Sequence, residues 1–253
     1  MRAVDIRIKK TTGEIGLLKA SFKKNWRYYL QEALGLAIFM FSACFFSGLF
    51  FGKSGFLVSG LTAAIRQSLL GLLMGLTALY IFYSPFTSPS GSHINPAVTL
   101  AFFRLGKIGR WDALFYMIFQ FAGGTLAVYI MARLMGDNLT AAPLHYVVTV
   151  PGKFGRPAAA LTELIIAFIM MGMVLLTTDS PALKKYTRIF AGALVCINVI
   201  VAGPVSGFGM NPARSFASAL PAHIWTAFWI YVCMPLTGML GAAELYRFFK
   251  RRN

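Results

Sequence analysis

Two stretches decide the fold: Ser92-His93-Ile94-Asn95-Pro96-Ala97-Val98-Thr99 in the first half of the chain and Gly209-Met210-Asn211-Pro212-Ala213-Arg214-Ser215-Phe216 in the second. Each contains the tripeptide Asn-Pro-Ala. Asn is a favoured helix N-cap, and Pro is tolerated at the first helical position because its missing N–H would be unpaired there anyway. Each tripeptide therefore predicts the start of a helix.

The composition indicates that these two helix starts lie in a membrane protein. Of 253 residues, 57% are hydrophobic and only 13% are charged, which is atypical of a soluble globular domain. A helix needs about 20 mostly apolar residues to cross a hydrocarbon core of about 30 Å. Six stretches qualify, and we place them near residues 29–50, 67–83, 111–134, 158–177, 188–203 and 224–248.

The distribution of basic residues predicts the orientation. Most of the 24 Lys and Arg residues fall within residues 1–28, 84–112, 178–188 and the C-terminal end, which six spans place on one side. By the positive-inside rule both termini are cytoplasmic, in a plasma (inner) membrane. The net charge of +16 then reflects topology and attraction to anionic lipid. We expect no nucleic-acid partner, because no soluble basic domain is long enough.

Cofactor chemistry is not expected. Cys44, Cys196 and Cys233 all fall within predicted spans and have no disulfide or metal-ligand spacing. The sequence offers no metal-ligand cluster, no nucleophile paired with a base and no phosphate loop, so a membrane-embedded enzyme is a remote alternative. We predict no cofactor, no metal, no catalytic residue and no signal peptide.

The chain divides into two related halves, about residues 29–134 and 158–249, joined by a Gly-, Pro- and Thr-rich segment that we expect to be a surface loop. Each half has three spans and one Asn-Pro-Ala loop. An odd number of spans inverts the second copy relative to the first. The apolar stretches 98–104 and 215–220 are too short to span, and irregular backbone at that depth is tolerated only beside a cavity or within protein. The pattern predicts a water-lined path.

The polar residues of the two motifs indicate what such a path passes. The Asn95 and Asn211 side chains cap their helices through oxygen, which leaves amide NH2 groups to point into the path. Both positive helix ends would disfavour cations, including hydronium. Arg214 would be costly facing lipid, so we expect it to line the path.

Taken together, these motifs resemble the aquaporin and glycerol-facilitator family, also called the major intrinsic proteins, from about Tyr29 to Phe249. The resemblance implies an all-α membrane protein with six transmembrane helices and two re-entrant half-helices, arranged as an inverted repeat in a right-handed bundle. It implies one channel domain, residues 29–249, between a basic N-terminal segment, 1–28, and a basic tail, 250–253. It also implies a homotetramer with a pore in every subunit.

The same resemblance assigns site residues. The pore motifs are Asn95, Pro96, Ala97, Asn211, Pro212 and Ala213, and the narrowest ring consists of Met74, Val199, Phe208 and Arg214. The second-span member is Met74 if the segment 85–89 contains one inserted residue, and Gly75 otherwise. Loop support falls to Glu32, Glu163 and His93. A buried carboxylate also suits a proton path, but a proton relay would defeat a channel that blocks protons.

These residues predict a passive channel that conducts water, with small uncharged solutes as further cargo, and excludes ions and protons. Val199 and Phe208 favour the alternative, a facilitator mainly for glycerol, urea or neutral metalloid acids. Ser215 and Ala219 match the water-channel pattern instead. A third reading is a structural membrane protein with a blocked path, against which both Asn-Pro-Ala motifs and Arg214 argue.

Overall fold

The structure is a computed structural model that describes residues 13–53 and 60–252. The described residues therefore omit the first twelve residues of the predicted basic segment 1–28 and the last residue of the tail 250–253. All regular secondary structure in the described ranges is helical, as the sequence predicts. The α-helices are α1 Glu14–Phe51, α2 Ala63–Tyr83, α3 Pro96–Arg104, α4 Arg110–Met135, α5 Asp137–Thr140, α6 Gly155–Asp179, α7 Thr187–Val201, α8 Gly203–Ser206, α9 Pro212–Ala222 and α10 Phe228–Lys250.

Five of the described helices, namely α1, α2, α4, α6 and α10, are long and apolar enough to cross a membrane. The fifth predicted span corresponds to α7, which has only 15 residues. Ala202 keeps helical backbone angles after α7, and α8 then continues to Ser206. Because Pro204 has no N–H to donate, the hydrogen-bond ladder is interrupted there, and the span is made of two helical pieces.

Each predicted span differs from the structure at one or both ends, and two of these differences have a clear physical cause. The first helix begins at Glu14, well before residue 29, and its extra turns lie against the start of α4. The last span begins at Phe228 instead of 224, because His223 and Ala227 adopt left-handed backbone angles, with φ of 54° and 51°, and form a turn. Hydropathy indicates which residues lie in the membrane, but it does not indicate where a helix begins or ends.

The two half-helices begin where the sequence predicts. The Asn95 side-chain oxygen accepts a hydrogen bond from the Ala97 N–H at 2.9 Å, and that of Asn211 accepts from Ala213 N–H at 3.0 Å. The helices α3 and α9 have 9 and 11 residues. At 1.5 Å per residue each is about 15 Å long, about half the hydrocarbon thickness.

The helices pair in a way that repeats between the halves. The first and third spans of each half pack together, α1 with α4 and α6 with α10, while the second spans α2 and α7 pack on each other. Gly123 on α4 lies against the backbone of Ala33, and Gly238 on α10 lies against the carbonyl of Leu164. Small residues of this kind let helix backbones approach closely in lipid.

We predict that Gly123→Ala destabilises the protein, because the added Cβ would overlap the carbonyl oxygen of Ala33. Gly172→Ala is the matched control: it is also inside a helix, and a Cβ there meets nothing within 4 Å. Thermal unfolding of the detergent-solubilised protein should show a lower midpoint for Gly123→Ala. The control should match or exceed the wild type, because Ala favours a helix by about 1 kcal/mol over Gly. Equal midpoints for the two variants would contradict the packing described.

Candidate solute pathway

The two Asn-Pro-Ala loops are bonded to each other. The Asn95 side-chain amide donates to the Met210 carbonyl at 2.9 Å, and the Asn211 amide donates to the Ile94 carbonyl at 2.7 Å. These crossed bonds use one of the two N–H groups of each amide. From the sequence we expect the whole NH2 group to face the path, but in the structure one of its N–H groups joins the loops. Both Asn residues line a cavity.

Buried carboxylates hold the two loops, as we expected from the resemblance. Glu32 accepts hydrogen bonds from the backbone N–H groups of His93, at 2.9 Å, and Ile94, at 2.5 Å. Glu163 does the same for Gly209, at 2.8 Å, and Met210, at 2.5 Å. Both glutamates are fully buried. Each carboxylate thus fixes the two peptide groups that precede its Asn.

The backbone at these positions is strained. Ile94 and Met210 have positive φ values of 42° and 46°, and Ser92 and Phe208 have values of 49° and 51°. Left-handed angles cost a residue with a side chain about 1–2 kcal/mol. The two halves therefore adopt the same unfavourable turn, which the carboxylate bonds offset.

Serine and tyrosine partners in both halves complete the support, and sequence reasoning did not single them out. The Ser90 and Ser206 hydroxyls each donate to their glutamate at 2.6 Å. The Tyr116 and Tyr231 hydroxyls donate at 2.7 Å to the carbonyls of the same serines. A signal was present, because both motifs are preceded by Ser-Gly, five residues before the Asn.

His93 lies where a loop-support residue is expected. Its Nδ1 is 3.2 Å from the Thr99 hydroxyl, and its ring stacks on Phe102 with centroids 4.8 Å apart. Gln120 connects the same region to the glutamate, because its amide donates to Glu32 at 2.8 Å and to Thr99 at 3.1 Å. His93 also lines the cavity, so it both braces α3 and forms part of the wall.

Two cavities lie on either side of the Asn pair and together mark a route. One, which we call the inner cavity, has a volume of about 530 Å³ and runs from Asn95 and Asn211 to a mouth at Lys184, Lys185 and Arg188. The other, the outer cavity, has a volume of about 430 Å³ and opens on the opposite side. They share Phe39 and Phe208 in their walls, so these two rings lie between the cavities.

The four residues predicted for the narrowest ring come together in the second cavity. Met74, Val199, Phe208 and Arg214 all line it. Gly75 does not, because it packs against Cys196 and Gly192 of α7. The residue of the second span that faces the cavity is therefore Met74.

A residue from the segment between the halves holds the Arg214 side chain. The Arg214 guanidinium donates a hydrogen bond to the hydroxyl of this residue, Thr149, which is also 3.4 Å from the Ser215 hydroxyl. Thr149 is only 5% exposed, and Pro143, Leu144, Val147 and Val148 of the same segment line the cavity. The segment that we expect to be a surface loop is exposed or partly exposed over most of its length, but its stretch 143–149 also forms part of the cavity wall.

Comparison with known proteins gives consistent results. Residues 19–246 match the family model described as Major intrinsic protein. The chain is 33% identical over 223 residues to a probable aquaporin NIP-type from Nicotiana alata, covering 87% of this chain and 77% of that protein. It is 33% identical over 180 residues to aquaporin NIP1-2 from Arabidopsis thaliana, covering 70% of this chain and 61% of that protein.

A solved structure shares the fold. The X-ray structure of the aquaglyceroporin from Plasmodium falciparum matches with a TM-score of 0.75 and 20% identity, over 87% of this chain and 94% of that one. This likeness confirms the predicted fold class, an aquaporin-like helical bundle.

The carboxylate support yields a prediction. Glu163→Gln should lower the free energy of unfolding by about 3 kcal/mol or more, because the new NH2 group replaces an acceptor of buried N–H or O–H donors. Glu244→Gln is the control, because Glu244 forms an exposed ion pair with Arg104 at 2.5 Å and such pairs contribute about 0–1 kcal/mol. Chemical unfolding in detergent measures both. A loss no larger for Glu163→Gln than for the control would show that the carboxylate does not hold the loop.

Proposed function

The chain belongs to the major intrinsic protein family, and on this basis we propose that it is a passive channel that conducts water and small uncharged solutes while excluding ions and protons. This is a family of transport channels rather than of enzymes. The family match over residues 19–246 supports treating residues 29–249 as one channel domain.

The observation that carries the proposal is the convergence of two helix N-termini beside a route across the bundle. Asn95 and Asn211, which cap α3 and α9, face each other and line the inner cavity. An amide N–H from each orients a passing water by its oxygen. The positive ends of both half-helix dipoles point at the same place and disfavour any cation, hydronium included.

Arg214 supports the exclusion of cations at a second position along the path. Its guanidinium lies in the wall of the outer cavity, where it presents a permanent positive charge and fixed donors. Its hydrogen-bond partner is the neutral Thr149 hydroxyl, and within the described residues it forms no ion pair. A cation entering from this side meets Arg214 before it reaches the Asn pair.

The other ring residues support a cargo wider than water. Met74, Val199 and Phe208 give the outer cavity an apolar wall, and Arg214 provides donors on one side. Such a ring suits a small solute with hydroxyl or amide groups and a carbon skeleton. The alternative remains a facilitator mainly for glycerol, urea or neutral metalloid acids, and the aquaporin and aquaglyceroporin names of the similar proteins are compatible with either cargo.

We assign Glu32 and Glu163 to loop support and not to a proton path. Both oxygens of each carboxylate accept hydrogen bonds: four donors reach Glu32 and three reach Glu163. A carboxylate so engaged is a poor proton relay. In this proposal the Pro and Ala of each motif, namely Pro96, Ala97, Pro212 and Ala213, set the first turn of each half-helix, and His93 braces its loop.

Location and assembly follow from the same proposal. We place the chain in the plasma (inner) membrane with both termini cytoplasmic, on the strength of the basic residues at the ends and in the loops. We also infer a homotetramer with one path in each subunit. Labelling of cysteines introduced near either terminus tests the orientation, and the mass of the purified complex tests the assembly.

Stopped-flow light scattering on reconstituted protein tests the function. Vesicles with the channel should shrink faster than protein-free vesicles in an impermeant osmolyte, and should re-swell faster in glycerol or urea. Water permeability at the protein-free level would contradict the proposal. Fast re-swelling with slow water movement would favour the glycerol, urea or metalloid alternative.

Phe208→Ala should raise glycerol and urea permeability relative to water, because removal of the ring widens the junction of the two cavities. Phe45→Ala is the matched control, since the Phe45 side chain is 52% exposed on the outer face of α1. The same light-scattering protocol measures both variants. Unchanged ratios of solute to water permeability in Phe208→Ala would remove Phe208 from the selectivity ring.

A further inference from the structure

Helix α1 is much longer than a membrane crossing requires. Its 38 residues give about 57 Å at 1.5 Å per residue, against a hydrocarbon core of about 30 Å. The excess lies at the N-terminal end, and it is firmly attached. Ser21, Asn25 and Tyr29, spaced four residues apart, all donate hydrogen bonds to one carboxylate oxygen of Asp112, at 2.6, 2.9 and 2.5 Å.

The side of this extension that faces away from α4 is basic. Lys23 and Arg27 are exposed there, and within residues 13–53 and 60–252 neither takes part in an ion pair. The spacing of four, three and four residues places Lys23, Arg27, Leu30 and Leu34 on one stripe of the helix. Leu30 and Leu34 are 49% and 43% exposed in the single chain.

Lys23 and Arg27 therefore continue this exposed stripe beyond its apolar part. Along the helix axis, Arg27 lies about 4.5 Å and Lys23 about 10 Å from Leu30 toward the N-terminus. With Leu30 placed at the edge of the hydrocarbon core, the long side chains of both residues reach the headgroup layer, which is about 5–8 Å thick in one leaflet. Trp26, an exposed aromatic residue beside Arg27, is typical of this membrane interface.

The carboxylates on this side of the protein are already occupied. Glu14 pairs with Arg110, Glu244 with Arg104, and Asp179 with Lys250. Asp112 accepts the three hydrogen bonds from α1. Of the carboxylates described on this face, none is left to pair with Lys23 and Arg27 of a second copy of the chain, so the complementary charge has to come from elsewhere.

We propose that Lys23 and Arg27 form a binding site for the phosphate-bearing headgroup of anionic phospholipids in the cytoplasmic leaflet. The cytoplasmic location rests on the proposed orientation of the channel, whereas the binding itself does not. The docking of α1 on Asp112 fixes the two cations at headgroup depth before any lipid arrives. The site therefore differs from a flexible basic tail, because binding depends on which cations are present and not only on their number.

Native mass spectrometry of the full-length protein in detergent, titrated with phosphatidylglycerol and with phosphatidylcholine, tests this site. The wild type should retain phosphatidylglycerol in preference. The double variant Lys23→Gln/Arg27→Gln should lose about tenfold or more in relative affinity, as expected for two cations close to an anionic group.

The control variant Lys19→Gln/Lys24→Gln removes the same charge from the same helix. Lys19 lies about 16 Å above Leu30, and Lys24 is turned by about 100° from Lys23. We expect this control to lose clearly less relative affinity than Lys23→Gln/Arg27→Gln, about fivefold at most, because only Lys24 is close to the headgroups and it lies off the stripe. Equal losses in the two variants would mean attraction by net charge alone and would overturn the proposal, as would no loss in either.

Two further measurements distinguish a bound phospholipid from the other possible occupants of this surface, a free anion and a second copy of the chain. Excess inorganic phosphate should leave phosphatidylglycerol bound, and its displacement would identify a site for a free anion instead. The number of subunits should be unchanged in Lys23→Gln/Arg27→Gln. A change in subunit number with lipid preference intact would identify an interface between copies.

Water permeability of the wild type, measured in phosphatidylcholine vesicles, tests the channel separately, so failure of one proposal is not mistaken for failure of the other.

Discussion

The crossed hydrogen bonds between the two Asn-Pro-Ala loops are the constraint on which the rest of the structure depends. Asn95 reaches the carbonyl of Met210, and Asn211 reaches that of Ile94. Both bonds require the preceding backbone to turn through positive φ angles, which would cost free energy without a compensating partner. Glu32 and Glu163 provide that partner by accepting the N–H groups that the turn exposes. The half-helices, their dipoles and the cavities beside them are then fixed at one depth.

Much of this arrangement is local and could be predicted from the sequence. An Asn before Pro caps a helix through contacts within three residues, so the starts of α3 and α9 follow directly from the motif. The spans follow from hydropathy, but their ends do not. The N-terminal turns of α1 are bonded to Asp112, far away in the chain, and α7 ends at Val201, shortly before Pro204, so it is shorter than a span. Distant partners of this kind leave no periodic pattern.

The same distinction applies to the pathway. The sequence and its family resemblance predict Val199, Phe208 and Arg214 as members of one ring, and all three line the outer cavity together with Met74, whereas Gly75 packs on α7. Thr149 was not predicted, because the segment that contains it has neither helical nor strand periodicity and its contact with Arg214 is long-range. The serine partners were predictable in principle, since Ser-Gly is repeated before both motifs. Because the proposed ring has apolar walls and a single guanidinium, we expect its selectivity to depend on width as much as on polar contacts.

The most direct test of the central claim is to measure water flux and proton flux on the same reconstituted vesicles. Electropositive helix ends that converge on a water-lined path should pass water and stop protons together. The account predicts osmotic water permeability that rises with the amount of channel while proton flux stays at the level of protein-free vesicles. Proton flux that rises in step with channel content, or water permeability that does not rise at all, would contradict it.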